Sequence, residues 1–578
     1  MEPYGGRAGP PHAPTARSHL LALLLVLAMV AALGIALVGA WGKQAHPVSG
    51  APGAGPDTPA RPAPALAERP NVVVVMADDM RADDLRFAPT VRRLAAGGVR
   101  FANSFSPFPL CCPARASFLT GQLAHNHGVY SHEPPFGFAA FDDSETVATA
   151  LHRGGYRTAF VGKYLNRYGV DTSRVTGEPS WRYVPAGWDD WRATVERGPG
   201  SPATGDTYDY FHTSYHLGGA GRPSRVVNRP GVYQTDTLGA MARDAVGDAA
   251  RGDDPFFLYL SFVAPHFSPV QEPGDPSLLT PQRPDRVKGR FDDVVRTAPG
   301  LTRRGVSDPD MSDEAPTMRR VPALDARTRR ELVESTRQRA EAISVLDEQV
   351  ARLVARLKRL GEWRRTVLLF TSDNGYFLGE HHRAAGKMLP HEPSLRVPLV
   401  VTGPGVPRGE VRYDPVTTVD LTATVAAYAG ASAALDHAVR QDGRSMVPVI
   451  EQGDRGWVTP VLTEAMLRWH PGLRGGGFGQ RDVIGVRVGG WKLVRFRDGG
   501  ELYHLDRDPN ELRNLWADPA HRGVRRQLLR IWWRTKDCAG ADCHPRLPAD
   551  LAWTPSVAEQ HTEAQLAGVR RRTGTPQS

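Results

Sequence analysis

The chain has 578 residues, enough for one large globular domain with a smaller companion. Its 41% apolar and 23% charged content exclude a disordered or fibrous protein. A net charge of +9 suits an anionic partner, yet the Arg excess is scattered and no nucleic-acid-binding motif accompanies it, so nucleic acid is not an expected partner. The first feature in chain order is an uninterrupted apolar run, Leu20 to Ala40. It is long enough to span a bilayer as a helix. Arg7 and Arg17 ahead of it predict residues 1–19 on the cytoplasmic side and the body outside. Val38-Gly39-Ala40 would also serve as a small-residue cleavage site, so residues 20–40 read as a membrane anchor or a signal peptide. Residues 41–69 are dense in Pro, Ala and Gly and read as a linker.

From Pro70 onward several apolar, β-rich runs share one design, each ending in a residue suited to chemistry. Val72 to Ala77 leads to Asp78 and Asp79, and Thr158 to Val161 leads to Gly162 and Lys163. Phe256 to Val263 leads to Ala264-Pro265-His266, and Val367 to Thr371 leads to Ser372, Asp373 and Asn374. A fifth run, Pro398 to Val401, leads to Gly403-Pro404-Gly405. Continuous apolar runs predict strands buried on both faces. Helical segments separate them, the clearest over 331–360, where Ile343, Leu346, Val350, Leu353, Leu357 and Leu360 recur at helical spacing and Gly361 follows as a stop. This alternation predicts an α/β fold: a large, mostly parallel sheet with helices on both faces. In such folds ligands bind beyond the carboxyl ends of the strands, which brings Asp78, Lys163, His266 and Asp373 to one cleft. Taken alone, Asp78-Asp79 and Asp373-Asn374 read equally well as turns, an isolated Lys reads as a solvated charge and a single His as a structural residue. Together the carboxylate and amide oxygens of Asp78, Asp79, Asp373 and Asn374 suit a hard cation, Ca²⁺ or Mg²⁺.

Residues 111–121 read Cys-Cys-Pro-Ala-Arg-Ala-Ser-Phe-Leu-Thr-Gly. Two adjacent cysteines alone would read as small buried residues or disulfide partners. The whole run resembles the signature of the sulfatase family of the alkaline phosphatase superfamily, Cys-x-Pro-x-Arg-x-x-x-Leu-Thr-Gly, with Ala114 where Ser is frequent. Gly162-Lys163-Tyr164, Ala264-Pro265-His266 and Gly386-Lys387, with Glu392, Ser394 and Arg396-Val397-Pro398-Leu399 beyond, are similar to further segments of that family. Gly490-Trp-Lys-Leu-Val and Glu501-Leu-Tyr-His-Leu-Asp resemble its C-terminal part. The doubled cysteine and Gly-Lys-Tyr-Leu-Asn are closest to the N-acetylglucosamine-6-sulfatase branch.

The resemblance implies hydrolysis of sulfate esters, with phosphate or phosphonate monoesters as the alternative on the same superfold. It implies that a formylglycine-generating enzyme converts Cys111 to formylglycine, whose hydrate attacks sulfur. It also implies that Asp78, Asp79, Asp373 and Asn374, with residue 111, hold a cation, most often Ca²⁺, with Mg²⁺ the alternative. Lys163 and Lys387 would hold the sulfate, Arg115 would orient the nucleophile, and His266 would protonate the leaving alcohol, with Lys387 as the second candidate. The substrate class is then a small-molecule or saccharide sulfate ester. Leu165 and Asn166 stand where many sulfatases carry a His, and His125 and His127 are pocket or loop residues. The expected organisation is a catalytic domain over 70–455, an Arg-, Asp- and Pro-rich loop insertion over 280–328, a small antiparallel C-terminal subdomain over 456–545 and a tail over 546–578. Cys538 and Cys543 are near enough in sequence to pair, and Cys112 is left as an inert neighbour.

Overall fold

The computed structural model describes residues 69–301, 308, 310–467 and 478–573. The expected N-terminal segment and all but the last residue of the linker lie outside the described residues. Among the described residues, no helix is long and apolar enough to cross a membrane.

In chain order the main sheet contains β1 (Asn71–Ala77), β2 (Val99–Phe101), β3 (Arg157–Gly162), β4 (Asp190–Val195) and β5 (His212–Gly219). It continues with β6 (Arg222–Pro230), β7 (Phe256–Ser261), β8 (Thr366–Ser372), β9 (Leu399–Thr402) and β10 (Glu410–Arg412). The order across the sheet is β10-β2-β9-β8-β1-β7-β3-β4-β5-β6. The central strands β8, β1, β7, β3 and β4 are parallel. β1 is buried along its whole length and alternates between two cores. Val72, Val74 and Met76 face one core; Val73, Val75 and Ala77 face the other. That is the signature of a strand covered on both sides, and it explains the unbroken apolar run.

Helices α1 (Cys111–Thr120) and α4 (Thr418–Tyr428) supply the first core with Cys112, Phe118, Leu119, Leu421 and Val425. Helices α2 (Gln234–Ala249) and α3 (Ala326–Arg359) supply the second, the latter with Ile343, Leu346, Val350, Leu353 and Leu357. α3 stops where Gly361 takes φ +81°, the left-handed conformation that favours glycine at a helix end. The periodicity places this helix correctly, and its start lies five residues earlier than the sequence suggested.

The fifth apolar run behaves differently from the others: β9 runs antiparallel to β8 and β2. The edge strands β5 and β6 form an antiparallel hairpin, and β6 is largely exposed, with Arg and Pro blunting the open edge.

A second sheet of β11 (Val461–Ala465), β12 (Val483–Val488), β13 (Trp491–Phe496) and β14 (Gly499–His504) is antiparallel in sequential order. The β13–β14 loop is Arg497-Asp498, so Gly499 already pairs with Phe496. Helix α5 (Arg522–Thr535) packs Leu528, Ile531 and Trp532 against this sheet. Cys538 and Cys543 form a disulfide. Residues 555–573 are not a loose tail: they form helix α6, whose Thr562 is buried and accepts a hydrogen bond from Asn103 of the main domain. The 280–328 segment is likewise docked. Arg283 is buried against Glu341 of α3, Gly300 donates its backbone N–H to Leu378, and Tyr503 of β14 donates to Glu314.

Candidate active site

Strand register builds the site. Ala77 pairs with Ser372, Met76 with Ser261, and Gly162 with Ser261. The residues that follow therefore leave the sheet at one level: Asp78 and Asp79, Asp373 and Asn374, and Lys163. Gly162 has φ +115°, and a Cβ there would lie 1.8 Å from the carbonyl of Ser261, so only glycine lets Lys163 follow at this height. Asp79 also takes a positive φ, +66°, a conformation that Asp tolerates better than most residues. The turn is tied to β8, since Asp79 N donates to Asp373 Oδ1 and Met80 N to Ser372 Oγ.

Helix α1 begins at Cys111 and is buried throughout. Its start points the positive end of the helix at the cluster. The Cys111 thiol lies 3.1 Å from Asp78 Oδ1, and Lys387 Nζ lies 2.7 Å from the sulfur. The lysine is held there because the next residue, Met388, donates its backbone N–H to Pro109, two residues ahead of Cys111. Lys163 pairs with Asp78, and Lys387 with Asp79. Arg115 lies one turn along α1 and is fully buried. It donates from Nε to Asp373 and from Nη1 to the Lys163 carbonyl and Ser261 Oγ, and its Nη2 lies 3.5 Å from Asp78. Its guanidinium thus underpins the carboxylates rather than bonding the nucleophile.

Three carboxylates, Asp78, Asp79 and Asp373, are met by three cations, Arg115, Lys163 and Lys387. Burial alone would raise Asp78, but Lys163, His266, Arg115 and Lys387 hold it well below the usual carboxylate range. Asp373, buried beside that charge, is pushed up to about 6. Both lysines stay charged: burial opposes their charge, but Asp78 raises Lys163 and Asp79 raises Lys387. Burial and the charge of Asp78 push the Cys111 thiol well up despite the two lysines, so the surroundings do not favour a thiolate.

The donor set fits a divalent cation. Asp78, Asp79, Cys111 and His266 each offer a ligand atom within 4.8 Å of the others. Asp79 Oδ2 and Asn374 Oδ1 are buried with no hydrogen-bond partner, an arrangement that is costly without a ligand. Asn374 faces the same group, donating from Nδ2 to Asp79 Oδ1 at 2.6 Å. A divalent ion added to three balanced pairs leaves the floor net positive, as an anionic ester requires.

His266 has its Nδ1 2.8 Å from the Phe267 carbonyl, which makes that nitrogen the donor and leaves the Nε2 lone pair 3.7 Å from Asp79 Oδ2. Burial brings it down to about 4. Two residues were missed in the sequence. Tyr208 places its ring 4.9 Å from Lys163 Nζ and 4.7 Å from the His266 ring. His132 has a buried, unpartnered Nε2 and feels Lys387, Lys163, His266 and Asp78. Both come from irregular segments with no motif; only their aromatic character marked them.

Asn166 bonds Tyr208 at 2.5 Å and so holds that ring over Lys163. His125 and His127 lie apart from the cleft floor: His125 bonds Glu464 and the Cys538 carbonyl, and His127 bonds Ser117. Cys112 is buried in the apolar core, where burial raises its thiol and keeps it inert.

A family model described as sulfatase matches residues 70–431. A second, described as the C-terminal part of N-sulphoglucosamine sulphohydrolase, matches residues 379–536. The chain belongs to the sulfatase family and is a sulfuric ester hydrolase. It is 28% identical to an arylsulfatase of Volvox carteri over 89% of this chain and 83% of that protein. It is 28% identical to an N-acetylglucosamine-6-sulfatase of Capra hircus over 69% of this chain and 66% of that protein. Among solved structures, one in complex with its substrate D-glucosamine-2-N,6-O-disulfate superposes with a TM-score of 0.58 at 21% identity, covering 81% of this chain and 97% of that one. A phosphonate monoester hydrolase of Silicibacter pomeroyi superposes with a TM-score of 0.57 at 23% identity, covering 81% of this chain and 96% of that one. At these identities the structural likeness speaks for the fold alone.

Proposed function

We propose that Cys111, converted to formylglycine, is the nucleophile of this sulfatase, and that Asp78, Asp79, Asp373 and Asn374 hold Ca²⁺ or Mg²⁺ beside it. The observation that carries the reading is the position of residue 111: at a helix start, 2.7 Å from Lys387 and beside the carboxylate cluster. The bound cation supplies Lewis-acid polarisation and charge neutralisation.

The chain's own residues do the rest. Lys163 and Lys387 clamp the sulfate oxygens and stabilise the charge that builds there. Arg115 acts as a positioning residue, fixing Asp78 and Asp373. His266 Nε2 faces the cleft. The negative charge of a bound ester raises its proton affinity, so that it donates to the leaving oxygen, with Lys387 as the second candidate.

The substrate class we favour is a saccharide sulfate ester, in keeping with the relative named N-acetylglucosamine-6-sulfatase and the structural neighbour holding a glucosamine disulfate. An extracytoplasmic location, reached through the 20–40 segment by anchoring or cleavage, fits both such a substrate and the Cys538–Cys543 disulfide.

The test is parallel turnover of sulfated monosaccharides, an aryl sulfate and an aryl phosphate. Release of sulfate from a sulfated glucosamine at kcat/KM above that of the aryl ester supports the reading. Preference for the phosphate would favour the phosphonate and phosphate alternative, and turnover of the aryl sulfate alone would remove the saccharide assignment.

A further inference from the structure

A second group of metal-ligand side chains lies outside the catalytic floor. Asp308, Glu314 and His381 each offer a ligand atom within 4.8 Å of the others, and all three are buried. His381 Nδ1 lies 3.9 Å from Asp308 Oδ2. His381 is only 1% exposed, and neither ring nitrogen has a hydrogen-bond partner. One of those nitrogens must carry a proton in the neutral ring, so a buried donor and a buried acceptor both go unmet. Leaving such groups unsatisfied in the interior is costly, because neither water nor protein replaces the lost hydrogen bonds.

Glu314 is oriented with one oxygen to spare: Tyr503 donates to Oε2 at 2.6 Å, while Oε1 is buried without a partner. Next to His381, the His391 ring stands 4.5 Å away, its Nε2 3.1 Å from Glu501. That bond fixes His391 and keeps the wall of the cluster rigid. Both His381 and its neighbour His382 hold positive φ, +50° and +58°, which directs the backbone around the group. His382 in turn bonds the Asp308 carbonyl at 2.7 Å.

We propose that Asp308, Glu314 and His381 bind a second divalent ion, of the Zn²⁺ or Mn²⁺ type. One imidazole with two carboxylates suits a borderline transition metal better than Ca²⁺, which gathers six to eight oxygens. Bonds to such an ion run about 2.0–2.2 Å, so the three donors draw inward when it enters.

The position gives the ion a structural consequence. Asp308 and Glu314 belong to the 280–328 region, Glu314 is held by Tyr503 of the second sheet, and His381 sits on the loop between Asn374 and Lys387. The ion would join the segment to the loop that carries Lys387 and would keep that lysine at residue 111. The proposal does not depend on the catalytic reading, because it needs only these three side chains.

The experiment uses the full chain, stripped with chelator and reloaded with excess Ca²⁺, then titrated with Co²⁺ and Zn²⁺. The expected result is one equivalent of Co²⁺ giving a visible d–d absorption, displaced by Zn²⁺, with a rise in Tm on Zn²⁺ addition. Asp78→Asn should keep this signal, whereas His381→Ala and Glu314→Gln should weaken Zn²⁺ at least 100-fold. Should His381→Ala fail to fold, His381→Gln, with its near-isosteric amide, gives the same comparison. The proposal is overturned if the parent takes up no such equivalent, or if the signal survives in the folded His381 and Glu314 variants. It is equally overturned if only Asp78→Asn removes it. Turnover is read separately, so loss of the second ion and failure of the sulfatase chemistry are told apart.

Discussion

Two groups of buried charge lie beside α1. At its start, Asp78, Asp79, Asp373 and Asn374 gather under Cys111 with three cations, and Asp79 Oδ2 and Asn374 Oδ1 remain without partners. Beyond its end, the short helix Ala124–His127 joins another charged network that leaves nothing open. Glu464 accepts from His125, Arg481 and the Ala124 backbone. His125 passes its second nitrogen to the Cys538 carbonyl, and His127 donates to Ser117 while accepting from Val129. Both groups are buried, titratable and next to the signature, yet one is closed and the other has capacity left. Unmet polar atoms, rather than the presence of histidine or carboxylate, separate a place for ligands from a structural tie.

The largest effect that would test this contrast is Arg115→Ala. It leaves Asp78 and Asp373 as buried charges short of a cation, so turnover should fall below detection and stability by about 3–5 kcal/mol, measured by aryl-sulfate assay and urea unfolding. A stable, active Arg115→Ala would dissolve the account of the floor. Glu464→Gln should cost about 3 kcal/mol, because it leaves His125 without its carboxylate and Arg481 with Asp537 alone, while kcat of the folded enzyme stays within about threefold. A specific loss of kcat there, without destabilisation, would erase the distinction between the two groups.

A sharper pair uses two histidines. His266→Gln should lower the rate about 10²- to 10⁴-fold with Tm nearly unchanged. His125→Gln should lose about 1–2 kcal/mol of stability with the rate nearly unchanged. The smallest effect is in pH. Although burial opposes the charge, Glu464 raises His125 above its ordinary value, so its contribution is fully present below about pH 6.5 and is lost as pH rises through the raised value. Glu464 is buried, which would raise it, but His125 and Arg481 hold it at about 2, so its share persists above about pH 4.5 and fades as pH falls towards 2. His125→Gln should flatten the stability profile above pH 6.5, as read by urea titrations across pH.

Much of the floor was legible because it follows from strand periodicity. The runs ending at Asp78, Lys163 and Asp373 are buried on both faces, and their continuous apolar character says so without a template. Direction was not legible: Leu399–Thr402 has the same composition as its parallel neighbours but runs antiparallel, since apolar character carries no polarity of chain. The hairpin of β5 and β6 escaped because its exposed edge is built from Arg, Ser and Pro. Tyr208 and His132 reach the site from irregular segments, where residue type is the only signal. Arg115 was recognised from the motif, but its role was not: the sequence shows it one turn after Cys111, and only the fold shows its guanidinium turned towards Asp373. Asp308 and Glu314 come from one stretch of chain and His381 from another, a meeting that no local pattern announces.

The central claim is the chemical state of residue 111, and mass spectrometry of the tryptic peptide containing it tests that claim most directly. In catalytically active protein the account predicts a peptide in which the CH₂SH group has become CHO, captured by an aldehyde-specific hydrazide. An intact thiol at Cys111 in fully active enzyme would contradict it.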